Sequence, residues 1–69
     1  MSETFARRLR AYRKLKRLTQ VELARRAGVS LAVVGGLERG TRSPTPEVVH
    51  RICRVLEVDD QELWSRALC

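Results

Sequence analysis

The sequence predicts an all-α fold, a single domain of five helices over residues 1–69. Three observations support this prediction. Apolar residues recur at spacings of three and four, which is the period of an amphipathic helix rather than of a strand. Capping residues and helix-stopping glycines separate the apolar stretches. No stretch shows the sustained apolar–polar alternation that indicates a strand.

The first helix is predicted over residues 4–16. Its apolar face consists of Phe5, Leu9 and Tyr12, followed by Leu15 or Lys16. Seven Arg or Lys residues lie between positions 7 and 17. We expect most of them to lie in solvent, although part of this cluster could lie beside a phosphate backbone.

Residues 20–39 have the pattern of two short helices around a sharp turn. Thr19 and Glu22 form a capping box that starts the second helix, and Gly28 supplies the positive φ that stops it. Ser30 caps the third helix. The inward positions of the two helices are Leu23, Ala24, Ala27, Val34 and Leu37. This spacing is that of a DNA-binding helix-turn-helix.

The fourth helix begins at a clear start signal. Gly40 ends the third helix, a polar loop follows over residues 41–44, and Thr45-Pro46-Glu47 combines a capping hydroxyl, an N-terminal proline and an acid in the first turn. Its buried stripe is Val48 or Val49, Ile52, Cys53 and Leu56.

A short fifth helix is expected from residue 60 to about residue 67. Asp59 with Glu62 predicts a second capping box at its start. Its apolar residues are Leu63, Trp64 and Leu68.

The net charge of +6 is unevenly distributed. Residues 1–42 carry eleven Arg or Lys against three Glu, a balance of +8, whereas residues 43–69 carry three against five acids, a balance of −2. A basic half beside a mildly acidic half suggests one surface that faces a polyanion. Charge alone would also fit a merely soluble, arginine-rich surface. The helix-turn-helix spacing within the basic half favours nucleic acid.

The sequence favours no enzyme, no cofactor and no metal site. His50 has no second ligand or nucleophile nearby, and Gly35-Gly36 lacks the Lys-Ser/Thr ending of a phosphate loop. Cys53 and Cys69 form neither a disulfide framework nor a metal-ligand pattern. No apolar run approaches the ~20 residues of a membrane span, and no signal peptide is predicted, so we expect a cytoplasmic chain.

Further motifs along the chain extend the likeness beyond the helix-turn-helix. They are Leu9-x-x-Tyr12-Arg13, Leu18-Thr19-Gln20, Glu22-Leu23-Ala24, Ala27-Gly28-Val29-Ser30, Leu37-Glu38-Arg39-Gly40, Pro44, Ile52, Leu56-x-Val58 and Glu62-Leu63. With them the sequence resembles the Cro/repressor family of phage and bacterial transcriptional regulators over roughly residues 5 to 64. The resemblance implies a compact five-helix domain of the phage-repressor DNA-binding type.

The resemblance also implies a site. The third helix, from about residue 31 to residue 38, would lie in the major groove, with its first residues and next turn facing base edges. The implied base-facing residues are Leu31, Ala32, Val33, Gly35 and Gly36, and the implied phosphate contacts are Gln20, Ser30, Arg39, Thr41 and Arg42. The family pairs Arg13 with Glu38 in a bidentate ion pair. Arg17 stands where the family often has glycine, so a positive φ there would be unfavourable.

The base-facing positions are unusual because they carry no donors or acceptors. Leu31, Ala32 and Val33 can only contact thymine methyl groups or exclude water, and two helical glycines cost about 2 kcal/mol relative to alanines. Three accounts remain open. In the first, the helix reads methyl groups and shape, with affinity from phosphates. In the second, it is an apolar face for a protein partner, as in an adaptor or antitoxin-like subunit. In the third, the glycines are drift on a weakly binding face.

A homodimer is expected because one helix-turn-helix reads few base pairs. After Leu63 fills the core, Trp64 and Leu68 remain four residues apart on one face of the last helix, which suggests an interface. Packing of Trp64 against the first helix is the alternative.

Overall fold

The computed structural model describes residues 2–64 of the chain, with side chains from residue 4 to residue 63. Its helices are α1 (Ser2–Leu15), α2 (Gln20–Ala27), α3 (Leu31–Arg39), α4 (Pro46–Leu56) and α5 (Asp60–Trp64). None of the residues 2–64 forms a strand, and the predicted all-α fold of five helices is confirmed. Within this range no helix combines the length and the apolar character needed to cross a membrane.

The helix boundaries follow the predicted capping residues. The Thr19 hydroxyl accepts a hydrogen bond from the Glu22 amide at 3.0 Å, and the Glu22 carboxylate accepts one from the Thr19 amide at 2.8 Å. Thr45 caps α4 by accepting from the amide of Val48. Gly28, with φ +74°, closes α2 in the left-handed conformation that glycine adopts without strain. These local signals fix where the helices begin and end.

The end of α1 differs from the prediction. Leu15 is 76% exposed, and the core position is taken by Leu18, which is buried. The reason is the turn at Arg17, whose φ of +59° bends the chain so that Leu18 faces inward. Arg13 holds this turn, because its guanidinium donates to the Leu18 carbonyl at 2.8 Å.

The start of α5 is also built differently. The carboxylate of Glu62 accepts a hydrogen bond from the Tyr12 hydroxyl at 2.8 Å instead of returning to the amide of Asp59. The Glu62 amide donates to the Asp59 carbonyl, and Arg8 donates to the Glu62 carbonyl. These contacts fasten α5 to α1. The side chain of Trp64 and the whole of Leu68 lie outside the described residues, as does Cys69.

The helices surround one core. α1 packs against α3 and α5, α2 against α3 and α4, and α4 against α5. Of the two candidate valines in α4, Val49 is buried and Val48 is only partly buried. The central side chains of the core are Leu9, Leu23, Val34, Leu37, Val49, Ile52, Cys53, Leu56 and Leu63. α3 is therefore held by helices on its inner side, and its opposite side faces away from the core.

Candidate nucleic-acid interface

A tight turn sets the relative direction of α2 and α3. After the left-handed Gly28, the amide of Val29 donates to the Ala24 carbonyl at 3.0 Å. Ser30 then starts α3 by accepting a hydrogen bond from the amide of Val33 at 3.1 Å. Because backbone bonds close the end of α2 and the Ser30 hydroxyl caps the start of α3 two residues later, the turn leaves α3 little freedom relative to α2.

The inner face of α3 carries the helix's own anchors. Val34 and Leu37 are almost completely buried in the core. Glu38 lies on the same face and is the one charged residue among the buried residues of the described part of the chain. A buried carboxylate is stable only if its oxygens are bonded, so its partners determine how firmly α3 is held.

Glu38 receives bonds from two other helices. Arg13 of α1 approaches in a fork, with Nε 2.6 Å from Oε2 and Nη2 2.9 Å from Oε1. Gln20, the first residue of α2, donates its amide to Oε1 at 3.0 Å. Arg10 adds a bond to the backbone carbonyl of Glu38 at 3.0 Å. One carboxylate thus joins α1, α2 and α3, and the ion pair that the resemblance implied is present.

The charge of Glu38 is stabilised by this network. Burial acts to raise the pKa of Glu38, but the hydrogen bonds from Arg13 and Gln20 and the positive charge of Arg13 outweigh it, so the pKa is lowered overall. The same hydrogen bond raises the pKa of Arg13. Both groups therefore remain charged around neutral pH.

The outward face of α3 is apolar near its start. Leu31 is 48% exposed, and Ala32 is also exposed. Val33, expected at the same surface, is half-buried and packs against the core. Only two of the three apolar residues are thus available to a partner that approaches from outside.

Gly35 and Gly36 are buried although they lie on the outward side of α3. A Cβ on Gly35 would stand 3.0 Å from Nη1 of Arg39, and a Cβ on Gly36 would stand 3.0 Å from Cβ of Arg42 and 3.6 Å from the Thr41 hydroxyl. The two glycines are therefore covered by the protein's own arginines. They do not present bare backbone to a partner.

The loop after α3 is fastened to the same helix. The carbonyl of Gly36 accepts bonds from the amides of Thr41 at 3.0 Å and of Arg42 at 3.3 Å, and from the Thr41 hydroxyl at 3.4 Å. Gly40, with φ +77°, turns the chain to make this possible. Thr41 and Arg42 are consequently held beside the outward face of α3.

The structure brings most of the expected contact residues onto one side. Leu31 and Ala32 lie at the start of α3, Ser30 caps it, and Thr41 with Arg42 lies at its end. Arg39 spans the middle of the same side. Gln20 differs, because its amide nitrogen is already used by Glu38.

The covering of the glycines was not anticipated from the sequence. The signal was present in the spacing, since Gly35 and Arg39 are four residues apart and long helical side chains point toward the helix N-terminus. The bond from Arg10 to the Glu38 carbonyl had no such local signal, because it depends on how α1 crosses α3.

Fold and site together define a helix-turn-helix domain in which Arg39 and Arg42 lie along the outward face of α3. Comparison with known families gives the same class: the family model described as "Helix-turn-helix domain" matches residues 4–64, and the chain belongs to this family, of the Cro/repressor type. The chain is thus a DNA-binding transcriptional regulator and not an enzyme.

Individual relatives agree with this assignment. The chain is 39% identical over 62 residues to the HTH-type transcriptional regulator YazB of Bacillus subtilis, covering 90% of each chain. Among solved structures it is similar to the restriction-modification controller protein C.AhdI of Aeromonas hydrophila, with a TM-score of 0.88, 33% identity and coverage of 91% and 96% of the two chains. It is also similar to the clp gene regulator ClgR of Corynebacterium glutamicum, with a TM-score of 0.84, 29% identity and coverage of 90% and 66%.

Proposed function

We propose that this regulator binds specific duplex DNA as a homodimer, with α3 of each subunit in the major groove. The observation that supports it best is the outward face of α3, which no other helix of the described chain covers and along which Arg39 and Arg42 lie. A major groove admits one α-helix, and arginines at the end of that helix would meet phosphates or base edges.

The phosphate contacts would come from both ends of the helix-turn-helix. The start of α2, at Gln20, offers backbone amides and the positive end of a helix dipole. Ser30 uses its hydroxyl oxygen as a cap acceptor, and its proton remains available to a phosphate. The loop at Thr41 and Arg42 supplies a hydroxyl and a guanidinium beside the groove.

Leu31 and Ala32 would contact thymine methyl groups, which are the apolar features of the major groove. The alternative use of residues 31–36 as a docking face for a protein has less support, because Val33 is half-buried and the two glycines are covered. Two exposed apolar residues fall far short of the ~1,000 Å² expected of a stable protein interface.

Dimer formation is the second part of the proposal. Two subunits would place their α3 helices about 34 Å apart, one turn of DNA, and so read two half-sites. Trp64 and Leu68 remain the proposed interface. Trp64→Ala should convert a dimer into a monomer in sedimentation at micromolar concentration while leaving the helical content unchanged. A wild-type chain that is monomeric at millimolar concentration would refute this part.

Because the proposed ligand is chromosomal DNA, the expected cytoplasmic location belongs to the same proposal.

A salt titration tests the DNA contacts. If phosphates supply most of the affinity, the logarithm of the association constant should fall with the logarithm of salt concentration, with a slope of about −0.9 per phosphate contacted. Arg42→Ala should weaken binding to specific and random duplexes alike. It should also lower the magnitude of this slope by about 0.9, the contribution of one phosphate contact. Arg54→Ala, which removes the same charge from the exposed end of α4, is the matched control and should leave the slope nearly unchanged. A flat salt response of the wild type would contradict the proposal.

A further inference from the structure

The side chain of Arg39 folds back along α3. Its Nη1 lies 3.0 Å, and its Cζ 3.8 Å, from the point where a Cβ on Gly35 would stand. Side chains of helical residues point toward the helix N-terminus, so a long side chain covers the turn before its own Cα. Since Gly35 lies one turn before Arg39, the guanidinium occupies the space that a side chain at position 35 would fill.

This space is the middle of the outward face. At about 100° per residue, Ala32, Gly35, Gly36 and Arg39 fall within one arc of the helix, opposite Val34 and Leu37. In a helix lying in the major groove, the middle of this arc is nearest to the base edges. The guanidinium therefore stands where the missing base-reading side chain was expected.

The donors of this guanidinium are not used by the described part of the chain. Arg8, Arg10 and Arg13 each donate to a carbonyl or a carboxylate. Within residues 2–64, the Arg39 side chain forms no hydrogen bond or ion pair, although it is packed on Gly35. It is a positioned group with free donors.

Gln20 completes the surroundings of the guanidinium. Its amide nitrogen donates to Glu38, and since a carboxylate only accepts, this bond fixes which way the amide points. The Gln20 oxygen is left 3.8 Å from the same Cβ point of Gly35. The bond to Glu38 thus leaves an acceptor on the same side of Gly35 that the guanidinium of Arg39 covers.

We propose that Arg39 reads a guanine in each half-site and that Gly35 is a positioning residue, which lets the guanidinium lie in the middle of the recognition face. This inference rests on the proposed insertion of α3 into the major groove. Guanine presents two acceptors there, O6 and N7, which match the forked donors of arginine, whereas adenine, cytosine and thymine each lack that pair of acceptors. Arg42 packs its Cβ and Cδ, rather than its guanidinium, against Gly36, and the proposal keeps it as a phosphate contact.

The test is selection of bound duplexes from a random-sequence library, followed by sequencing. It compares the wild type with Arg39→Ala, Gly35→Ala and the control Arg54→Ala. The wild type should enrich sites with a guanine at a fixed position in each half-site. Arg39→Ala should reduce the preference for guanine at that position by about 5- to 150-fold and leave the other positions unchanged. Arg54→Ala should enrich the wild-type site.

Gly35→Ala separates position from charge. A Cβ there displaces only the far end of Arg39, so the preference for the same guanine should fall while the melting temperature stays equal to or above that of the wild type. The double variant Gly35→Ala/Arg39→Ala should select the same sites as Arg39→Ala alone, because each of the two changes disrupts the same contact between Arg39 and guanine.

Two results would overturn the inference in distinguishable ways. If Arg39→Ala enriches the same sites as the wild type and only binds all duplexes more weakly, Arg39 is a phosphate contact, and the proposed function stands without this inference. If the wild type enriches no site from the library, the proposed sequence-directed binding itself fails.

Discussion

The two faces of α3 are built on opposite principles. The inner face buries Val34, Leu37 and a carboxylate that is only 3% exposed, and bonds from α1 and α2 satisfy that carboxylate. The outward face carries Leu31 and Ala32 in solvent and a guanidinium with free donors. The difference shows that the fold is determined on one side of this helix, while the other side is the one that we propose to read DNA.

The largest expected effect follows from removing the inner anchor. Arg13→Ala would leave Glu38 buried without its main partner, at a cost of about 3–5 kcal/mol. A domain of this size has roughly 3–5 kcal/mol of stability in total. The variant should therefore already be largely unfolded at room temperature, where a thermal melt begins. Arg10→Ala is the matched control, because Arg10 is half-exposed, lies 3.9 Å from Glu38 Oε1 and bonds the backbone carbonyl of Glu38 rather than its carboxylate. It should cost less than about 1 kcal/mol. Equal melting temperatures for the wild type and Arg13→Ala would contradict the anchoring role.

The pH dependence of stability tests the same face. The folded-state pKa of Glu38 is lowered, so its charge contributes stability that is present above its unfolded pKa of about 4.3 and is lost as the pH falls through the folded pKa. Glu38→Gln removes this titration, leaving those of Glu22 and Glu57, whose pKa values are also lowered. Melting curves from about pH 7 to about pH 2 should show the wild type more stable than Glu38→Gln near neutrality, with the gap closing in acid. A constant gap would mean that Glu38 is not the titrating group.

The two glycines give a smaller contrast within the outward face. Gly35→Ala moves only the end of a flexible side chain, so the better helix propensity of alanine should raise the free energy of unfolding by up to ~1 kcal/mol. In Gly36→Ala the added Cβ would contact the Cβ of Arg42. Arg42 belongs to the loop that is held in place by hydrogen bonds to the Gly36 carbonyl. We expect this strain to cancel the gain or to lower stability by up to ~1 kcal/mol. Urea denaturation of both variants measures the difference, and equal gains would show that the loop moves freely.

The smallest effect on stability is expected at Leu31. Because this side chain is 48% exposed, Leu31→Ala should change the free energy of unfolding by no more than about 0.5 kcal/mol. Its affinity for a selected DNA site should nevertheless fall, while its affinity for random duplexes stays the same. A loss of stability comparable to that of a core substitution would show that Leu31 packs in the core, and it would contradict the exposed position described above.

The elements were predictable where the local chemistry is explicit. The boxes and caps at Thr19, Ser30 and Thr45 and the stops at Gly28 and Gly40 lie where the sequence predicts them. Arg17 and Glu57 also adopt positive φ, but neither is a glycine, so their residue types do not indicate that a helix ends there. Only the resemblance pointed to a positive φ at Arg17.

For the candidate site, the sequence predicted which residues lie together but not the contacts among them. The resemblance identified residues 30–42 and the partner of Glu38, but bonds between distant elements leave no trace in local spacing. Glu62 illustrates this, because its carboxylate had been assigned to a cap and instead bonds to Tyr12 of α1. The bond from the Gln20 side chain to Glu38 has the same origin. Such contacts depend on how helices cross, and a helical period does not contain that information.

The separation of the two faces of α3 has an evolutionary consequence. Since Leu31, Ala32 and Arg39 contribute little to the core, a duplicated copy of the chain could exchange them without first acquiring compensating mutations. Each copy would inherit a folded scaffold and could acquire a different operator in a few substitutions. The buried carboxylate of Glu38 would then restrict substitutions in α1 and α2, because its partners Arg13 and Gln20 cannot change independently of it. Paralogues of this chain should accordingly diverge first at positions 31, 32 and 39.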